Sequence, residues 1–219
     1  MNARATPVMQ QHAEAKQAHP DAIVFFRLGD FYEMFGDDAV LAARLLDLTL
    51  TSRNRGKPDE IPMAGVPHHA AHGYIARLLE LGRRVAICEQ MADPATVKGI
   101  VPRKVVRVIT PGLATLDEHL VAGANNFLAA VESSRGGLGL SLLDLSTGEL
   151  SAAVLPDGAA LLAALSRARA REVLLGVGES DEGVAELRRG IELSGSTSVS
   201  ADPALSAEEL SSALGALFP

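Results

Sequence analysis

Ile23-Val24-Phe25-Phe26-Arg27-Leu28-Gly29-Asp30-Phe31-Tyr32-Glu33-Met34-Phe35 is the stretch on which the reading of this chain turns. Its apolar start predicts a buried strand over Asp21 to Leu28. A strand this apolar should stop in a buried place, yet it runs into Arg27, Gly29 and Asp30. Beyond them, Phe31 and Glu33 stand two positions apart. In extended backbone such residues project to the same side, so a flat apolar ring would lie beside an acid. An inserted aromatic ring can wedge between stacked bases and kink a duplex. A carboxylate next to it could contact the edge of the displaced base. One chemistry that fits this pairing is the reading of a defect in DNA. The plainer alternative makes Phe31 a core aromatic beside Phe25, Phe26 and Phe35, since most aromatics are buried. It makes Glu33 a solvated surface acid.

Working outward, the polar segment 7–18, with Met9-Gln10-Gln11 and Glu14-Ala15-Lys16, predicts a helix that ends before His19-Pro20. Asp37-Asp38 resemble an N-terminal cap, and Val40, Leu41, Leu45, Leu46 and Leu48 predict the apolar face of a helix. Thr49 to Ser52 is extended, and Arg53 to Glu60, with Gly56 and Pro58, is an exposed loop. Ala70 to Leu81 predicts a second helix stopped at Gly82. Val85 to Cys88 and Val105 to Thr110 predict strands. The result is a mixed α/β unit of about 110 residues. Residues 111–125 read as a connection. The grammar then changes: Phe127 to Glu132, Gly139 to Leu145 and Glu149 to Val154 predict three antiparallel strands with short turns. A helix over 158–169 and a strand at Val173-Leu174-Leu175 follow. Residues 178–203 are rich in Gly, Ser, Glu and Asp, and a last helix begins near Ser206, with Glu208 and Glu209 suiting its dipole.

The 219 residues suit one or two domains, and 47% hydrophobic content is ordinary for a globular protein. The single cysteine, Cys88, excludes an internal disulfide and a Cys-rich zinc site, which fits a reducing cytoplasm. No apolar stretch of 18 residues occurs, and Met1-Asn2-Ala3-Arg4 does not open a signal peptide, so the expected location is cytosolic. A net charge of −7 argues against a general nucleic-acid binder. The charge is uneven: residues 1–120 carry 14 basic and 14 acidic side chains, and residues 121–219 carry 6 and 13. Phosphate contacts supply most non-specific DNA affinity, so a neutral first half should hold DNA weakly by itself.

Gly29-Asp30-Phe31-Tyr32-Glu33 resembles the mismatch-reading motif of the MutS family of DNA mismatch-repair proteins. Further blocks match in order: Ile61-Pro62-Met63-Ala64-Gly65-Val66-Pro67-His68-His69-Ala70, Val85-Ala86-Ile87-Cys88-Glu89-Gln90, Asp93-Pro94-Ala95-Thr96, Lys98-Gly99 and Arg103-Lys104-Val105-Val106-Arg107-Val108-Ile109-Thr110-Pro111-Gly112. The resemblance is close over roughly residues 8–132. Leu143-Asp144-Leu145-Ser146-Thr147-Gly148-Glu149 resembles, more loosely, the start of the family's connector domain, and no diagnostic motif follows residue 175.

The resemblance implies an α/β chain in two parts: a mixed α/β mismatch-recognition domain over 1–112, a linker over 113–125, and an RNase H-like α/β connector domain over 126–219. It makes Phe31 the wedge and Glu33 the base contact. Arg53 and Arg103 match positions that contact the DNA backbone, and Met63 matches a residue near the minor groove. An exposed arginine or a packed methionine would also account for these three. The family's ATP and Mg belong to a domain not matched here. No Gly-x-x-x-x-Gly-Lys-Ser/Thr occurs in the chain, so it is expected to be an N-terminal piece, monomeric, with no cofactor and no enzymatic activity. The implied partners are mismatched duplex DNA and, through the connector, a MutL-type repair protein.

Stacking a base on an aromatic ring contributes roughly 1–3 kcal/mol, against an unstacking cost of a few kcal/mol per step. A mismatched step unstacks more cheaply, so selectivity arises largely from deformability. Burial and nearby phosphates should raise the Glu33 pKa. A protonated Glu33 could donate to a purine N7, whereas an ionised one could only accept.

Other patterns carry less. His68 and His72 are spaced i, i+4, but His69 stands where a metalloprotease has Glu, and no third acidic ligand is near. Asp144 to Glu149 could form a phosphate-binding turn or a nuclease carboxylate, yet no converging carboxylate set accompanies it. It is simpler as a hairpin turn closed by Gly148. Beside the DNA-recognition reading stands a scaffold fragment that presents its connector to partners without binding DNA itself.

Overall fold

In a computed structural model, the chain is described over residues 6–92, 99–114, 120, 123–134, 136–176, 182–193 and 198–201. It divides into two compact units, Met1–Ala124 and Asn125–Pro219.

The first unit opens with helix α1 (Pro7–Ala18), started by a proline whose fixed φ suits the first helical position. Strand β1 (Ala22–Leu28) and strand β2 (Phe31–Phe35) follow as an antiparallel pair. Helix α2 (Asp37–Leu46), the short strand β3 (Thr51–Arg53) and strand β4 (Ile61–Pro67) come next. A 3-10 turn (His68–Ala70) leads into helix α3 (Ala71–Glu80), then strands β5 (Arg84–Gln90) and β6 (Arg103–Ile109). The six strands form one sheet in the order β3-β4-β2-β1-β5-β6. Only β1 and β5 run parallel; every other pair is antiparallel.

Alternation along the strands gives this sheet two apolar faces. One carries Ile23, Phe25, Tyr32, Met34, Val66, Val85 and Ile87 against α2 and α3. The other carries Val24, Phe26, Phe35, Ala86 and Cys88 against α1. The apolar stripe expected on α2 is corrected by the structure. Val40 is 47% exposed, while Ala39, Ala42, Ala43 and Leu46 enter the core and Leu41, Leu45 and Leu48 flank it. Alanines let the helix approach the sheet closely, where larger side chains would collide. Gly36, not Asp37 or Asp38, holds the N-cap position. Asp38 is buried and turns away from its own helix. It accepts the Val24 amide at 3.0 Å and pairs with Lys16 at 2.8 Å, tying α1 and α2 to β1. Ala114, in the expected linker, packs into the first core.

The second unit begins with a meander of β7 (Phe127–Ser134), β8 (Gly137–Asp144) and β9 (Glu149–Leu155). Helix α4 (Gly158–Ala168) starts at Asp157, whose carboxylate accepts the Ala160 amide at 2.8 Å. Strand β10 (Glu172–Leu175), helix α5 (Glu182–Leu193) and strand β11 (Ser198–Ala201) complete it. The sheet order is β11-β10-β7-β8-β9, with β10 parallel to both β7 and β11. A three-stranded meander extended on one side by parallel strands is the RNase H-like arrangement expected. Leu161, Leu165, Leu187 and Ile191 pack on Ala129, Val131, Leu140, Val173 and Leu175. The polar stretch 178–203 therefore contains an element pair that its composition conceals. Leu187 and Ile191 lie four apart on one helix face, a spacing that average polarity does not reveal. The helix expected from Ser206 lies outside the described residues.

Candidate nucleic-acid interface

β1 and β2 are joined by the two-residue loop Gly29-Asp30, with Leu28 opposite Phe31. Gly29 has φ +59°, whereas Asp30 is not in the left-handed region. This is the II′ pattern, which asks for glycine at its first central position and matches the twist of an antiparallel pair. The strand does not stop in a buried place; it folds back, and the first residue of the return strand is Phe31. Phe31 is 45% exposed, unlike the fully buried Phe25 and Phe26.

The register collects the predicted residues. Phe31 faces Leu28 and Pro67, Glu33 faces Phe26 and Gly65, and Phe35 faces Met63. Met63 faces Thr51, and Arg53 faces Ile61. Arg103 faces Gln90, two residues beyond Cys88, itself opposite Phe26. By strand alternation Phe31, Glu33, Met63, Arg53 and Arg103 all share the α1 face of one sheet. α1 covers the middle of that face, where His12 meets Phe26 and Phe35 edge-on at 5.5 and 5.0 Å. The five are not one cluster. Phe31, Glu33 and Arg103 lie toward the hairpin end. At about 3.3 Å per residue, Met63 lies roughly 13 Å further along β4 than the Phe31 row, and Arg53 roughly 20 Å further.

Glu33 is half-buried, and burial raises its carboxyl above the usual range. Among the described residues no cation or hydrogen-bond donor pairs with it. Its carboxyl lies over Gly65, where a Cβ would stand only 2.7 Å from Glu33 Cδ. Glycine at 65 is thus what leaves room for the acid. Arg103 is largely committed within the protein. Its Nε donates to the Arg27 carbonyl at 2.7 Å, one Nη donates to the Val101 carbonyl at 3.0 Å, and the guanidinium sits 5.3 Å over the Phe26 ring. Arg53 is half-buried at the β3 edge, its Nε shielded and without a partner. Met63 packs into the cluster under α1, and Thr51 donates its hydroxyl to the Met63 carbonyl at 2.9 Å. An exposed ring beside an unpaired, weakly acidic carboxyl can stack on a base and exchange a proton-mediated contact with its edge.

Several participants carry no role in the sequence reading. Tyr32, between Phe31 and Glu33, turns to the opposite face, is buried, and donates to Glu89. Burial, followed by the bond to Glu89, pushes its hydroxyl up to about 12. Arg27 lies 5.6 Å over the Tyr32 ring and donates to the Gly29 carbonyl at 2.6 Å. His68, considered above with His72 for a shared helix face, instead stands in the 3-10 turn, with Nδ1 3.1 Å from the Asp30 carbonyl. Strand alternation around Phe31 and the Gly29-Asp30 loop are the signals that could have found Tyr32 and the hairpin.

Asp144 is fully buried and braces the β8–β9 turn. It accepts the Asn126 amide at 3.0 Å, the Ser146 amide at 2.9 Å and the Ser146 hydroxyl at 2.6 Å. Burial works to raise its carboxyl, but these bonds outweigh it and hold the carboxyl below its ordinary value.

Residues 6–118 match the family model described as MutS domain I, and residues 126–215 match MutS domain II. The chain is 65% identical over 182 residues to the DNA mismatch repair protein MutS of Sorangium cellulosum (strain So ce56), covering 78% of this chain and 20% of that protein. It is 55% identical over 145 residues to the protein of that name from Desulfatibacillum aliphaticivorans, covering 66% and 16%. Against that of Myxococcus xanthus (strain DK1622) it is 51% identical over 179 residues, covering 82% and 20%. The chain thus spans about a fifth of the length of the curated relatives it matches. With both domain models matched in order along most of its length, the chain belongs to the MutS family, of which it carries domains I and II.

Proposed function

We propose that the first unit recognises mismatched or unpaired bases in duplex DNA by inserting Phe31, with Glu33 contacting the displaced base. The observation that carries this reading is the exposure of the Phe31 ring at the end of a tight hairpin. A large aromatic left in water at the end of a strand pair whose other aromatics are buried is suited to a partner that supplies a flat apolar surface. The unpaired Glu33 beside it supports the reading. Its raised pKa lets it meet a base edge without the full repulsion that a carboxylate suffers among phosphates. Arg53 and the remaining Arg103 donors serve the DNA backbone, and Met63 serves the groove. The chain acts by binding and not by catalysis, needs no cofactor of its own, and works as a monomer in the cytosol. Among the described residues no helix is long and apolar enough to cross a membrane. The second unit serves as the connector, contacting a MutL-type partner.

The test is fluorescence anisotropy at low salt with a G·T duplex and its matched control, using the wild type and Phe31→Ala. Preference for the mismatch that disappears in Phe31→Ala supports the wedge. Preference retained in Phe31→Ala removes it. The second reading, a scaffold without DNA binding of its own, is favoured by the 13 acidic against 6 basic side chains of residues 121–219. Absence of binding by either variant supports that reading for the chain alone.

A further inference from the structure

We propose that Arg27, Tyr32 and Glu89 are positioning residues: a brace on the face opposite Phe31 that holds the Gly29-Asp30 turn so that the ring stays presented. The inference rests on the wedge reading above and extends it to residues that cannot touch DNA from the Phe31 side of the sheet.

The geometry is a relay of three contacts. Glu89 of β5 accepts the Tyr32 hydroxyl, which anchors the β2 strand to the sheet across β1. The Tyr32 ring packs against Phe25 at 5.9 Å between centroids and carries the Arg27 guanidinium 5.6 Å from its own centroid. That guanidinium donates Nε to the Gly29 carbonyl at 2.6 Å, inside the turn itself. Three carbonyls around the turn are held. Arg27 O takes Arg103 Nε, Gly29 O takes Arg27 Nε, and Asp30 O takes the His68 amide at 2.9 Å. A carbonyl only accepts, so the His68 nitrogen near Asp30 O also approaches as a donor.

A two-residue turn needs no such reinforcement to exist, because Gly29 already satisfies its backbone demand. The brace serves a different end. An exposed ring pressed between bases is pushed back by the stack it opens, and a hairpin end free to fray would yield instead of the DNA. A charge-assisted bond to Glu89 and a planar guanidinium on an aromatic face make a stiff connection. The Tyr32 hydroxyl, with its pKa pushed up to about 12, remains a donor throughout the pH range over which a carboxyl titrates.

The experiment uses the full 219-residue chain with Tyr32→Phe, which removes one oxygen and keeps the ring, and Arg27→Lys, which keeps the charge and loses the planar fork. The first readout needs no DNA: amide hydrogen exchange at residues 29–31 of the free chain. The brace predicts about tenfold faster exchange there in both variants, with β3 and β6 amides unchanged. A uniform rise across the unit would mean a general stability role, and no rise at the turn would mean no role; either overturns the proposal. The second readout is the ratio of G·T to matched-duplex affinity, compared with Phe31→Ala. A three- to tenfold lower ratio at unchanged matched-duplex affinity supports positioning. If Phe31→Ala loses preference while Tyr32→Phe and Arg27→Lys keep all of it, the wedge stands and the brace falls. If Phe31→Ala keeps it, the wedge reading itself falls, and faster turn exchange would then support a brace of the hairpin only, which overturns its role in base recognition.

Discussion

Replacing Gly65 by alanine separates the place of the Glu33 carboxyl from its chemistry. Gly65 lies in β4 opposite Glu33, in backbone that any residue adopts. The three atoms nearest an added Cβ all belong to the Glu33 carboxyl, the far end of a flexible side chain, so the side chain moves while the backbone stays. Pushing it about 30° off a rotamer minimum costs about 0.5–1.5 kcal/mol. Removing a strand glycine returns about 0.5–1 kcal/mol. The two nearly cancel, so Gly65→Ala should fold with a melting temperature within about 6 °C of wild type. Recognition should suffer more. One hydrogen bond to a base contributes about 0.5–1.5 kcal/mol net, or roughly 2- to 12-fold in affinity. Low-salt anisotropy with G·T and matched duplexes should show that loss for the mismatch alone, equal to the loss in Glu33→Ala. Full mismatch preference in Gly65→Ala, alongside its loss in Glu33→Ala, would refute the claim that the carboxyl acts where it now lies. A much larger fall in melting temperature would refute the claim that the side chain alone absorbs the clash.

Three further outcomes are expected. Burial raises the Glu33 pKa in the folded state, so its contribution to stability is present below the unfolded carboxyl pKa and is lost as pH rises through the folded one. Calorimetry should find Glu33→Gln melting with the wild type in acid and above it at neutral pH, and a gap that ignores pH would contradict this; Gln should also keep mismatch binding that Ala loses. If Arg53 contacts only phosphate, Arg53→Ala should weaken mismatched and matched duplexes alike and lower the salt slope by about one, whereas a mismatch-specific effect would place it at the base. Asp144→Ala strands two amides and a hydroxyl, so urea titration should show the second unit destabilised by about 1–3 kcal/mol or more. The wild-type advantage should fade as pH falls through the depressed Asp144 pKa, and an unchanged urea midpoint would remove the brace.

Local sequence determined a good deal by itself. Apolar runs such as Ile23 to Phe26 and Val85 to Cys88 became central strands because nothing but a buried sheet accommodates them. The helices over 7–18 and 158–169, the meander from Phe127 and the Asp144 turn were legible from caps, breakers and period. The motif around Phe31, taken with the further blocks that follow it in order as far as Gly112, was enough to point to the family. Composition misled where a few well-spaced residues outweigh many polar ones, as with Leu187 and Ile191 in α5. It misled again where small residues, not large ones, form the core face, as with Ala39, Ala42 and Ala43 in α2.

What only the tertiary structure decided is which residues share a face across strands distant in the chain. Nothing near Glu33 in sequence announces that Gly65 makes room for it, that Arg103 is tied to the Arg27 carbonyl, or that Tyr32 reaches Glu89 across 57 residues. Strand alternation is a local property and can be read from one segment. Register between strands depends on how the whole sheet buries both its faces, and that emerges only when the chain is folded.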